Sequence, residues 1–83
     1  MFNENDKVMV SCKEISDKDE LAIICKRLFS TDAYEVNLLM DHKPASEYDN
    51  IRVFNASEMR AATKQEIDAA MTEWETKNNY KLR

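Results

Sequence analysis

Val8, Val10 and Cys12 alternate with Met9, Ser11 and Lys13, the period-two pattern of a half-buried strand. The polar run Ser16-Asp17-Lys18-Asp19-Glu20 then supplies capping residues and first-turn acids. Leu21, Ile24, Cys25 and Leu28 follow at i, i+3, i+4 and i+7, which predicts a helix from about Asp17 to Phe29. Ile23 and Phe29 widen its apolar face, and Ser30-Thr31-Asp32 ends it. Alternation returns with Tyr34, Val36, Leu38 and Met40 against Glu35, Asn37, Leu39 and Asp41. Leu39 breaks the polar side of that strand, as expected of a strand covered on both faces.

A polar loop from Asp41 to Asn50 holds the only proline, Pro44. Ile51 and Val53, interleaved with Arg52 and Phe54, form a third strand, antiparallel to the second across that loop. Asn55 can cap a single turn from Ala56 to Arg60, with Glu58 in the reciprocal position. Thr63-Lys64-Gln65-Glu66 is a capping box, in which the Thr63 hydroxyl accepts from the Glu66 amide and the Glu66 carboxylate accepts from the Thr63 amide. Ile67, Ala70, Met71 and Trp74 make an apolar stripe on the helix that follows. The helix ends at Asn78-Asn79, where asparagine takes the left-handed conformation in a chain without glycine.

The order β-α-β-β-α predicts an α+β fold in a single domain, residues 1–83: a small antiparallel three-stranded sheet packed with two helices. The alternative is a small SH3-like barrel with an appended helix. On the three-stranded reading the stripe at Ile67, Met71 and Trp74 docks on the sheet. If the first helix already covered the sheet, the stripe would bind a partner or a second copy, which leaves a homodimer open.

Composition removes several function classes. No apolar run approaches the ~20 residues that span a bilayer, and Met1 to Asp6 lack the basic and apolar regions of a signal peptide, so the expectation is a cytoplasmic protein with no membrane association. Cys12 and Cys25 lack CxxC spacing and read as small buried hydrophobes. His42 is the only histidine, so no metal site is expected. Without glycine there is no phosphate loop, and no cofactor is expected. The serines stand near carboxylates at helix starts, where capping accounts for them, and no nucleophile sits beside a base; the chain does not read as an enzyme.

Binding is what remains. In the loop, His42, Lys43, Glu47, Tyr48 and Asp49 have no evident structural duty, and Tyr48 is a typical interface anchor. The insert between third strand and last helix adds Glu58, Met59 and Arg60 as candidate protein-contact residues. The net charge is −4 and unevenly spread: residues 32–50 hold five acids against one lysine. That disfavours nucleic acid, which favours a basic stripe. The nucleic-acid alternative would gather Lys26, Arg27, Arg52, Arg60 and Lys64 on one face beside Tyr34 or Phe54.

The stretch Ile51 to Ile67, with Arg60-Ala61-Ala62-Thr63-Lys64-Gln65-Glu66-Ile67 as an R-x-A-T-x-x-E-I helix start, resembles the ends of small accessory proteins of tailed bacteriophages and prophages. The opening strand, Phe2 to Val10, is similar to theirs. The resemblance implies a non-enzymatic protein, in the cytoplasm of a bacterial host, that binds and inhibits a host protein such as a component of a defence system.

Overall fold

A computed structural model describes residues 2–11, 13–28, 32–43 and 50–82. Five strands and one α-helix follow one another: β1 (Lys7–Val10), β2 (Glu20–Arg27), β3 (Ala33–Leu38), β4 (Arg52–Asn55), β5 (Met59–Ala61) and α1 (Lys64–Asn78), with 3-10 turns at Leu39–Asp41 and Ala56–Glu58. All pairings are antiparallel, in the order β4-β3-β2-β1-β5.

The α+β class stands, but the three-stranded, two-helix arrangement does not. The segment expected as a helix from Asp17 to Phe29 contains β2, the middle strand of the sheet. Its side chains explain the misreading. Ala22 and Ile24 point into the core, while Leu21 on the opposite face is covered by α1, so three residues are buried without strict alternation. A strand buried on both faces loses its period, and a short apolar run then fits a helical stripe equally well. The polar run before it is a turn, where the Ser16 hydroxyl accepts from the Lys18 amide. Serine and aspartate satisfy a turn with the same local bonds by which they cap a helix.

The other missed strand is β5. It lies in the insert expected between the third strand and the last helix, and it pairs with β1 through Val8–Ala61, Met9–Arg60 and Val10–Met59. The two edge strands, β4 and β5, are thus consecutive in the chain, joined by Ala56–Glu58 alone. That turn is tied at both ends: the Ala56 amide donates to the Asp32 carbonyl at 2.7 Å, and the Ser11 amide to the Glu58 carbonyl at 2.8 Å. So short a link between opposite edges requires a strongly curled sheet. The sheet thus has five antiparallel strands, with the last two at its opposite edges, in place of the three expected.

Every strand contributes to one interior cluster: Val8, Val10, Ala22, Ile24, Tyr34, Val36, Leu38, Phe54 and Met59. Each fully buried aliphatic side chain there contributes about 1.5–3 kcal/mol. The last helix has the expected bounds. Thr63 and Glu66 form the capping box, and Asn79 ends the helix in the left-handed region at φ 50° and ψ 46°.

Candidate functional site

Helix α1 lies on the outer face of the sheet, where Met9 and Leu21 point away from the interior. Trp74 is its one buried residue, at 5% exposure. The Trp74 indole donates to the His42 carbonyl at 3.1 Å, the His42 ring packs against it at 5.2 Å, and Tyr80 meets its edge at 6.0 Å. The helix is therefore anchored near its C-terminal end to the turn that leaves β3.

A polar clamp holds the other end. Arg60 on β5 makes a bidentate pair with Glu66 at 2.8 and 2.6 Å and reaches Asp19 of the β1–β2 connection at 3.0 Å. The same Glu66 carboxylate accepts from the Thr63 amide at 3.0 Å. The Arg60 hydrogen bonds, with that amide, lower the Glu66 pKa to about 2, and bonding to Glu66 and Asp19 holds the Arg60 guanidinium above its ordinary range. Midway along the helix Lys18 pairs with Glu73 at 3.2 Å, and that bond raises the Lys18 pKa.

Between these attachments the helix and sheet leave a groove of about 370 Å³. Met9, Leu21, Leu39, Met40, Ala70 and Trp74 supply its apolar lining, and Met40 is 47% exposed. Lys18, Asp19, Glu20, Glu66 and Glu73 stand at one part of its rim, with Lys77 on the last turn of the helix. The volume is within the range of ligand pockets, roughly 300–1,000 Å³.

The expected contact residues scatter. Glu47, Tyr48 and Asp49 lie outside the described residues. His42 is half-buried against Trp74, and Lys43 is exposed. Glu58 accepts from the Asn55 amide at 3.0 Å, which closes the expected turn. Met59, expected on an exposed turn, is instead in the core at 8% exposure, because β5 directs it inward opposite Val10. Arg60, expected as a contact residue, belongs to the clamp.

The basic set does not form a bare patch. Lys26 pairs with Glu35 at 3.6 Å, Arg52 makes a bidentate pair with Asp41, and Arg60 is held as described. Arg52 and Arg60 are on strands at opposite ends of the sheet order. Arg27 has a partner of its own, and Lys64 is exposed at the start of α1. Tyr34 and Phe54, the aromatics such a face would need, are buried.

Cys25 is half-buried at an irregularity in the β2–β3 register rather than fully buried, and Cys12 lies outside the described residues. Among the described residues no three His, Cys, Asp or Glu side chains stand together as metal ligands, and no helix is long and apolar enough to cross a membrane. Comparison with known protein families, with curated proteins and with solved structures found no match.

The groove was largely invisible in the sequence. Met40 continues the alternation of β3 and reads as core, yet the strand ends at Leu38 and the 3-10 turn carries Met40 outward. The one legible signal was Leu39, an apolar residue on the polar side of its strand.

Proposed function

We propose that this protein is a non-enzymatic binding module that recognises another protein. The observation that supports it is the groove beside α1, where exposed Met40 and half-buried Leu39 and Ala70 lie next to an aromatic anchor. Flexible methionines and aromatic residues are favoured at protein-contact surfaces. The narrower reading, a phage or prophage accessory protein acting on a host protein, is supported by the resemblance at Arg60 to Ile67. Arg60, Thr63 and Glu66 of that motif bind one another, so they account for the helix start rather than for a contact.

The nucleic-acid reading is less favoured, because Lys26, Arg52 and Arg60 are each already matched by a carboxylate. The test is capture from bacterial lysate with the tagged chain, identification by mass spectrometry, and reconstitution with the purified partner. A stoichiometric host protein that rebinds at high salt is the expected result. Failure to reconstitute any protein complex, or binding to DNA or RNA that falls steeply with salt, would overturn it.

A further inference from the structure

We infer that the β4 edge of the sheet is a second protein-contact surface, apart from the groove, and that it takes an extended apolar strand of a partner protein, paired antiparallel to it. The direction of the backbone groups carries this. Val53 faces Glu35 in a pair without mutual hydrogen bonds, so its amide and carbonyl both point away from β3. Ile51, just before the strand, repeats that direction by the period of two. The pairing site ends at Asn55, whose outward amide is already taken by the Glu58 carboxylate at 3.0 Å. Donors and acceptors at alternate residues of a sheet edge are the recognition chemistry of an added strand.

The side chains agree with the backbone. Ile51 and Val53 are 60% and 54% exposed. Two β-branched residues on one face call for apolar side chains opposite them, because directly opposed side chains of an antiparallel pair are neighbours. Folded proteins commonly protect such an edge with proline, lysine or a bulge. Residues 50–55, Asn-Ile-Arg-Val-Phe-Asn, hold neither proline nor lysine, and Arg52 is bound within its own chain by Asp41. The other edge differs. At β5 the Met59 amide turns back to the Ala56 carbonyl and Arg60 is held by Glu66 and Asp19, so the residue presented there is Ala61, whose side chain is a methyl group.

A second copy of the chain is the poorer occupant. Pairing Ile51 with the Val53 of another copy would set Arg52 opposite its own counterpart, and like charges directly opposed are destabilising. Centring the pair on Val53 would instead set Ile51 against Asn55, whose amide is taken.

The test uses the wild-type chain and three short capped peptides in which valine alternates with threonine: one unmodified, one N-methylated at its valines, and one N-methylated at its threonines. Paired opposite Ile51 and Val53, the valines turn their amides to β4 and the threonines turn theirs to solvent. At saturation the unmodified peptide should slow hydrogen exchange of the Val53 amide roughly tenfold and leave Ala61 unchanged. Methylation at the threonines should change binding by less than about twofold, whereas methylation at the valines should weaken it roughly tenfold. Val53→Pro deletes a donor that the sheet does not use, so the variant should still melt cooperatively and should lose the unmodified peptide.

Equal binding of the two methylated peptides, no slowing at Val53, or equal slowing at Ala61 would overturn the inference. So would protection of Val53 that grows with chain concentration in the absence of peptide, since a second copy would then hold the edge. These readouts do not involve the groove, so failure of the peptides leaves the binding module as it stands.

Discussion

At the scale of single residues, Glu66 carries the most connections. Its carboxylate holds the Thr63 amide, and with it the first turn of α1, while pairing with Arg60. A folded-state pKa near 2, below the ordinary 4.5, makes this contribution pH-dependent with a definite sign. The stabilisation is present in full above pH 4.5 and is lost as pH falls toward about 2, because the unfolded chain takes up the proton first. Glu66→Gln keeps an acceptor for the Thr63 amide but removes the charge. Its melting temperature should lie below wild type at neutral pH, and the two curves should converge as pH approaches about 2. A gap that persists unchanged in acid would show that the carboxylate's charge is not what stabilises. The same exposed geometry explains why Arg60 is spent as a clamp rather than as a contact residue. The capping box is legible in the sequence, whereas Asp19, forty-one residues before Arg60, joins the clamp only in the folded chain.

At the scale of elements, α1 is a helix whose local signals are strong and whose docking is slight. Capping box and left-handed Asn79 define its ends, yet only Trp74 is buried, with Ile67, Ala70 and Met71 half-buried. Apolar docking of the helix therefore rests mainly on Trp74. Trp74→Ala should lower the unfolding free energy by about 3–5 kcal/mol in urea titrations. Trp74→Phe keeps most of the apolar area and loses the bond to the His42 carbonyl, which should cost about 1 kcal/mol. If alanine costs no more than phenylalanine, the helix is not held by this residue. Legibility differed among the strands for a related reason. β3 and β4 were readable because alternation survives in each: half-buried Glu35 and Asn37 interleave with buried Tyr34, Val36 and Leu38, and exposed Val53 stands beside buried Phe54. β2 is covered on both sides over Leu21 to Ile24, which erased the alternation.

At the scale of the whole molecule, the sheet is ordered from a protected centre to two open edges. The Ile24 amide bonds to the carbonyl of Asp6, the residue before β1, and β2 is paired on its other side to β3. At the edges, the bond from Ala56 to Asp32 puts residues 52 and 54 in hydrogen-bonded pairs and turns the Val53 amide outward. The bonds from Ser11 to Glu58 and from Ala62 to Lys7 do the same for Ala61. Native-state hydrogen exchange should rank these directly: Ala22 and Ile24 exchange only by global unfolding, while Val53 and Ala61 exchange fastest among strand residues. Cross-strand contacts between Ile24 and Val36 should accompany that protection. Their absence, with helical contacts from Asp17 to Phe29 in their place, would restore the two-helix arrangement.

What the sequence determined alone is what short-range chemistry can specify: the α+β class, the ends of the last helix, three of the five strands, and the turn at Ala56–Glu58. Caps and turns involve residues three or four apart, so their partners can be read side by side. Tertiary structure decided the rest. Whether Leu21 to Leu28 is helix or strand depends on β1 and β3 lying beside it, because the same apolar residues satisfy either period when both faces are covered. Whether Met59 is surface or core depends on β5 finding β1, nearly fifty residues earlier in the chain. The groove exists only because α1 returns across Leu21 and Met9 on the outer face, bringing Trp74 to the His42 carbonyl and the acids of two distant segments to one rim. Contacts of that range are set by packing the whole chain at once, and no local pattern of residues encodes them.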